Sequence, residues 1–220
     1  KTFPELTSPH FIGINLNWAK DSQSLSGFFI HRGYKAYDLI ELDVDTGKIR
    51  TIYSESADTH IQRDNIFRRL EDGTFILSSE KSGWNQLYLM DWDTGREIKP
   101  LTQGEFVVNR LSYLDEKNRI AWLEISGKEK GRNPYFNHLY RLQLDSGELE
   151  LITKEDAYHE IFISPDGKFA VDNYSTVNQP TVSVLIDLST GNQIAKISEA
   201  DISLLKNRGY QSPVPFTATA

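Results

Sequence analysis

The chain has 220 residues, a mass of 25.2 kDa and a net charge of 24 − 31 = −7. That balance argues against a nucleic-acid binder, which presents a basic face, and against docking on an anionic membrane. Charged residues at 25% and aromatics at 11% argue against disorder, and zero cysteines exclude disulfides, thiolate zinc sites and cysteine nucleophiles. The first residue is Lys1 and no apolar leader follows it, so the chain reads as a mature or excised piece. Its longest apolar runs, such as Val184-Leu185-Ile186, fall far below the roughly 18 residues of a membrane helix, so no membrane segment is expected.

In chain order, one pattern returns four times: a strand, an acidic turn, a glycine. The copies are Tyr37–Gly47, Leu87–Gly95, Leu139–Gly147 and Val184–Gly191, with glycine spacings of 95 − 47 = 48, 147 − 95 = 52 and 191 − 147 = 44. A second turn precedes each copy: Lys20-Asp21-Ser22, Glu71-Asp72-Gly73, Asp115-Glu116-Lys117-Asn118 and Ser164-Pro165-Asp166-Gly167. Asp-Gly and Ser-Pro-Asp-Gly favour hairpins because glycine tolerates positive φ and proline presets the first turn residue. β-rich residues such as Thr74-Phe75-Ile76-Leu77 and Lys168-Phe169-Ala170-Val171 flank these turns. Four short strands per roughly 40–50 residues is the pattern of a β-propeller blade.

The predicted fold is therefore all-β, a propeller segment of about four four-stranded antiparallel blades over residues 1–197. The blades are placed at about 11–53, 64–102, 106–153 and 158–197, with Pro100 on an outer edge strand where a missing N–H does least harm. Ser198 with Asp201 three residues on approximates a capping box and predicts a short helix over Glu199–Lys206. The Ser212–Ala218 stretch reads as an extended linker, so 198–220 is expected to be helix plus linker.

Chemistry-bearing patterns are sparse. No Gly-x-Ser-x-Gly elbow occurs, so no catalytic residue is assigned. The histidines, His10, His31, His60, His138 and His159, show no metal spacing; His159-Glu160 opens a strand and reads as a partly exposed polar pair. The Asp-x-Asp-Thr-Gly turns at 43–47 and 91–95 resemble calcium loops, but glycine is fifth and the twelfth residues are Ser54 and Thr102. The expectation is that these aspartates accept hydrogen bonds from their own turns, and that no metal or cofactor is held. Asn173-Tyr174-Ser175 fits a glycosylation acceptor, 128–138 carries a turn-rich insertion, and Trp84 and Trp92 read as core.

The run Ser79-Glu80-Lys81-Ser82-Gly83-Trp84-Asn85-Gln86-Leu87-Tyr88-Leu89 resembles the S-E-R-x-G-W-x-H-L-Y-L segment of the dipeptidyl peptidase IV family's propeller. Leu101–Val108, Pro134–Arg141 and Phe162–Ser175 resemble further family segments in the same order, so the likeness covers nearly the whole chain. The resemblance implies serine exopeptidases that remove dipeptides, or tripeptides in some members, after proline or alanine. It implies an eight-bladed propeller capping a C-terminal α/β-hydrolase domain that carries the Ser-Asp-His triad. This chain is then roughly the last half of the propeller, without the triad and without the paired glutamates that hold a peptide's amino terminus, since no Glu-Glu occurs in it.

By the same resemblance, Arg63 falls where the family's loop places an arginine lining the substrate cavity; the alternative is a solvated loop arginine. The expected partners are the parent's own α/β-hydrolase domain and a peptide substrate. The segment's role is to wall the cavity and admit short peptides, and a periplasmic or extracellular setting follows from the family alone. The other readings are a stand-alone interaction platform and a periplasmic ligand-binding module. A half-ring would leave flanks near Phe11–Trp18 and Ile161–Tyr174 uncovered, and pairing through them predicts a homodimer.

Overall fold

The computed structural model describes residues 16–61, 66–216 and 218–219. The blade starts read at Phe11 and Asp64 lie outside them. The described residues form four four-stranded antiparallel sheets, each a meander in chain order. The chain divides into two compact units, 1–100 and 101–220, with two sheets in each.

In the first unit, one sheet is β1 (Leu16–Trp18), β2 (Ser24–Ile30), β3 (Ala36–Asp43) and β4 (Ile49–Ser56). The next is β5 (Phe67–Arg69), β6 (Thr74–Ser79), β7 (Gln86–Asp91) and β8 (Glu97–Pro100), and Pro100 does lie on the edge strand. The second unit holds β9 (Val107–Asp115), β10 (Ile120–Ser126), β11 (Asn137–Gln143) and β12 (Leu149–Leu151). Its other sheet is β13 (Tyr158–Ile163), β14 (Phe169–Thr176), β15 (Gln179–Asp187) and β16 (Asn192–Glu199).

The acidic turns fold locally. Asp43 accepts from the Thr46 amide and hydroxyl, both at 2.7 Å, and Asp91 accepts from Thr94 at 2.8 and 2.6 Å. Asp187 does the same with Ser189 at 2.8 and 2.6 Å. These bonds hold all three carboxyls below the usual carboxylate range. The third turn has Gln143 at this position and closes through its backbone, with the Gly147 N–H donating to the Gln143 carbonyl at 2.8 Å.

Each unit joins its two sheets through apolar faces. Leu39 and Ile52 pack with Phe75, Leu77, Met90 and Trp92 in the first; Trp122, Leu139 and Ile152 pack with Ile161, Val184 and Ile186 in the second. The side chains alternate because strand residues two apart share a face. The joints are also clamped by arginine. Arg50 on β4 pairs with Glu41 on β3 at 2.7 Å and reaches the Trp92 and Asp93 carbonyls at 3.4 and 3.1 Å. Arg141 on β11 pairs with Glu150 on β12 and reaches the Leu188 and Ser189 carbonyls at 3.4 and 2.9 Å. The acid and base have exchanged strands between the units, yet the guanidinium meets the same two positions of the acidic turn.

One element differs from expectation. The helix is α1 (Ser203–Asn207), not Glu199–Lys206. Residues up to Glu199 stay on the edge of the sheet, where Glu199 pairs with Val182. Asp201 rather than Ser198 then supplies the oxygen, accepting from the Ser203 amide at 2.8 Å.

Candidate functional site

Arg63 lies outside the described residues. The connection that contains it runs from Ser56 to Phe67, and its described part is fastened to the β2–β3 loop. Ile61 donates its amide to the Tyr34 carbonyl at 2.7 Å, and the His60 ring lies 5.6 Å from the Tyr34 ring. Tyr34 adopts φ +56° to turn toward it, a left-handed conformation unusual for a residue with a Cβ.

The second unit repeats this junction with more chemistry. Its β10–β11 loop, residues 127–136, touches the β12–β13 connection: Arg132 donates to the Lys154 and Glu155 carbonyls at 2.8 and 3.3 Å. Beneath it lies a buried polar cluster. His159 is wholly buried, with Nδ1 at 3.0 and 2.9 Å from the two Asp172 carboxylate oxygens and Nε2 at 2.9 Å from the Glu155 carbonyl. Both ring nitrogens are therefore engaged, one by the Asp172 carboxyl and the other by the Glu155 carbonyl. His138 sits beside it, ring centroids 5.0 Å apart. Burial, and then repulsion from His159 and Arg132, pushes the His138 imidazole down to about 4. Its Nε2 has no hydrogen-bond partner among the described residues.

The polar layer continues across the sheet. Glu124 accepts from Ser112 Oγ and Asn137 Nδ2, both at 2.6 Å, with the Arg110 guanidinium 3.7 Å away. Asn109 Nδ2 donates to Ser126 Oγ at 2.6 Å and to Asn137 Oδ1 at 3.1 Å. A buried carboxylate is tolerated here because donors from the strands on both sides, β9 and β11, surround it.

This corrects the reading of His159-Glu160. His159 points inward on β13 and is fully covered, and only Glu160 is exposed. The available signal was Asp172, an acid inside the apolar strand that pairs with β13. The arrangement resembles an oriented general base, but both ring nitrogens are engaged and no solvent reaches them. A general base needs a free nitrogen within reach of substrate, so the cluster is built for positioning rather than proton transfer.

Trp92 is core: its Nε1 donates to Glu41 at 3.2 Å and Arg69 stacks over its ring at 4.1 Å. Burial raises Glu41, but the hydrogen bonds from Arg50 and Ser24 outweigh it and hold the carboxyl below its ordinary value. Trp84, read as core, is 41% exposed, because the β6–β7 hairpin carries it off the sheet. Asn173 of the acceptor triplet lies within β14, half-buried and paired with Glu160 and Ser183. Among the described residues, no three His, Asp or Glu side chains are grouped to hold a metal ion, and no helix is long and apolar enough to cross a membrane.

A family model described as the dipeptidyl peptidase IV (DPP IV) N-terminal region matches residues 3–181. The dipeptidyl peptidase 4 of Trichophyton tonsurans is 24% identical over 198 residues, which is 82% of this chain and 24% of that protein. The Arthroderma otae dipeptidyl peptidase 4 is 26% identical over 141 residues, 63% of this chain and 18% of its own length. The crystal structure of Porphyromonas gingivalis dipeptidyl peptidase 4 superposes with a TM-score of 0.76 at 15% identity, over 92% of this chain and 28% of that one. The chain thus spans about a quarter of the length of the relatives it matches.

Proposed function

The chain belongs to the family of dipeptidyl peptidase IV N-terminal regions, and on that premise we propose that it is a noncatalytic wall of a serine exopeptidase. In this reading the parent removes N-terminal di- or tripeptides after proline or alanine, and the triad resides in a separate α/β-hydrolase domain that residues 198–220 lead toward. The propeller segment restricts entry to short peptides by shape alone, and Arg63 bonds a substrate carbonyl. One observation carries the reading: the family match extends over residues 3–181, while the buried His159–Asp172 pair has no free nitrogen to offer a substrate. A homodimer is also proposed, supported by the apolar side chains Phe162 and Phe169, which stand 54% and 41% exposed on β13 and β14.

The experiment has two arms. The purified 220-residue chain, given a Gly-Pro chromogenic substrate, releases chromophore at the buffer rate. Arg63→Ala in the intact parent raises KM for a short peptide more than it lowers kcat, as loss of one charge-assisted hydrogen bond of about 1–2 kcal/mol requires. Turnover that follows the isolated chain through purification refutes the noncatalytic role. Unchanged kinetics in the parent return Arg63 to a solvated loop.

A further inference from the structure

The 127–136 loop is far longer than the two-residue connection between β14 and β15, yet it is tied down along its length. Glu129 accepts from the Tyr140 hydroxyl at 2.6 Å, Asn133 Oδ1 accepts from the Tyr135 amide at 3.0 Å, and the Phe136 amide donates to the Asn133 carbonyl at 3.0 Å. Its outward tie is Arg132, on the Lys154 and Glu155 carbonyls. The Glu155 carbonyl is unusual in collecting three donors: the Ala157 amide at 3.0 Å, Arg132 at 3.3 Å and His159 Nε2 at 2.9 Å.

His159 cannot rotate away from that carbonyl without leaving Asp172, and Asp172 is held on β14, a strand with neighbours on both sides. The position of the Glu155 oxygen is therefore set from inside the sheet. Arg132 reads that position from the surface. We propose that Asp172, His159, the Glu155 carbonyl and Arg132 form a latch that fastens the 127–136 loop over the 154–157 connection, with Arg132 as the point of release.

His159 and Asp172 are positioning residues in this device. The pair itself is fully enclosed, while Arg132 is only half-buried, so the latch opens at its outer end without exposing the buried pair. Opening frees the segment that carries Tyr135, which is 85% exposed and whose amide donates only within the loop, to the Asn133 side chain. A loop closed by a few hydrogen bonds opens at much lower free energy than the strands that bear it, so the two events separate in hydrogen exchange.

Amide hydrogen exchange on the whole 220-residue chain tests this. Arg132→Ala is expected to speed exchange about tenfold at residues 132–136 and 154–157, while β10, β11 and β14 keep their protection. Arg132→Lys restores only part of it, because an ammonium does not span two carbonyls as a guanidinium does. Asp172→Asn, which keeps the side-chain shape, is expected to speed exchange at the loop as well as at 154–157. Loop exchange unchanged in Arg132→Ala overturns the proposal, and so does equal loss of protection across the sheets. Loop exchange unchanged in Asp172→Asn, with 154–157 loosened, breaks the link between core and loop and overturns it too.

Discussion

Gly95 and Gly47 occupy the same position of the same turn, with φ of +67° and +65°, yet replacing them by alanine has very different consequences. Any Cβ at such a φ costs about 1–2 kcal/mol, and at Gly47 that is the whole effect, since no atom lies within 4 Å of the added carbon. At Gly95 the added carbon would stand 1.7 Å from the Ile52 carbonyl oxygen and 2.9 Å from its carbon. A carbon and a carbonyl oxygen approach no closer than about 3.3 Å, so one sheet must retreat from the other by roughly 1.6 Å. Ile52 is the residue skipped in the β3–β4 register, where Leu39 pairs with Tyr53 and Ile40 with Thr51. Its carbonyl points away from the ladder into the next sheet's turn. The retreat also pulls Arg50 from the Trp92 and Asp93 carbonyls and Ile52 from the core. Overpacking of this kind adds about 1–3 kcal/mol, for a total of about 2–5 kcal/mol in Gly95→Ala. Urea unfolding followed by tryptophan fluorescence, with the slope unchanged, reads the difference as a shift of midpoint. Equal losses in the two variants would refute the close approach of the sheets at this turn.

Arg141→Ala is expected to destabilise the second unit by about 1–3 kcal/mol, by freeing the Leu188 and Ser189 carbonyls and the Glu150 carboxylate; Arg141→Lys recovers less than half. Chemical denaturation measures both, and a silent alanine variant would show that apolar packing alone joins these sheets. His138 makes stability fall with acid. Its imidazole is neutral in the folded state down to about 4, pushed there by burial first and then by His159 and Arg132, whereas the unfolded chain takes up that proton from about 6.5. The unfolded state therefore binds more protons between those values, so the contribution is fully present above pH 6.5 and is lost as pH falls toward 4. The full shift corresponds to about 3 kcal/mol, and screening of the repulsive part leaves about 1–2 kcal/mol. Melting temperatures of wild type and His138→Gln across this range should converge as pH falls; parallel curves would contradict the assignment.

What the sequence determined by itself was local. Three of the four acidic turns close on their own aspartate side chains within three residues, and Asp-Gly and Ser-Pro-Asp-Gly need no distant partner to bend the chain. Alternation between those turns then predicted antiparallel strands, and the number of turns predicted the four sheets. The family resemblance drew on the same residues, since turns and the strands beside them are where the motifs lie. Arg63 was reached only by counting along a loop, which leaves its orientation open. Only tertiary structure decided the rest. His159 and Asp172 are thirteen positions apart and become partners because β13 and β14 pair in one register, which turns both side chains inward. The helix yielded to the edge strand because backbone pairing up to Glu199 took residues that a capping pattern had claimed. Arg50 and Arg141 sit on opposite members of their charge pairs, and nothing local distinguishes them from surface salt bridges. Their shared role appears only when a second sheet brings two carbonyls within reach. Contacts between residues remote in sequence depend on how one face meets another, and periodicity records that a face exists without recording what covers it.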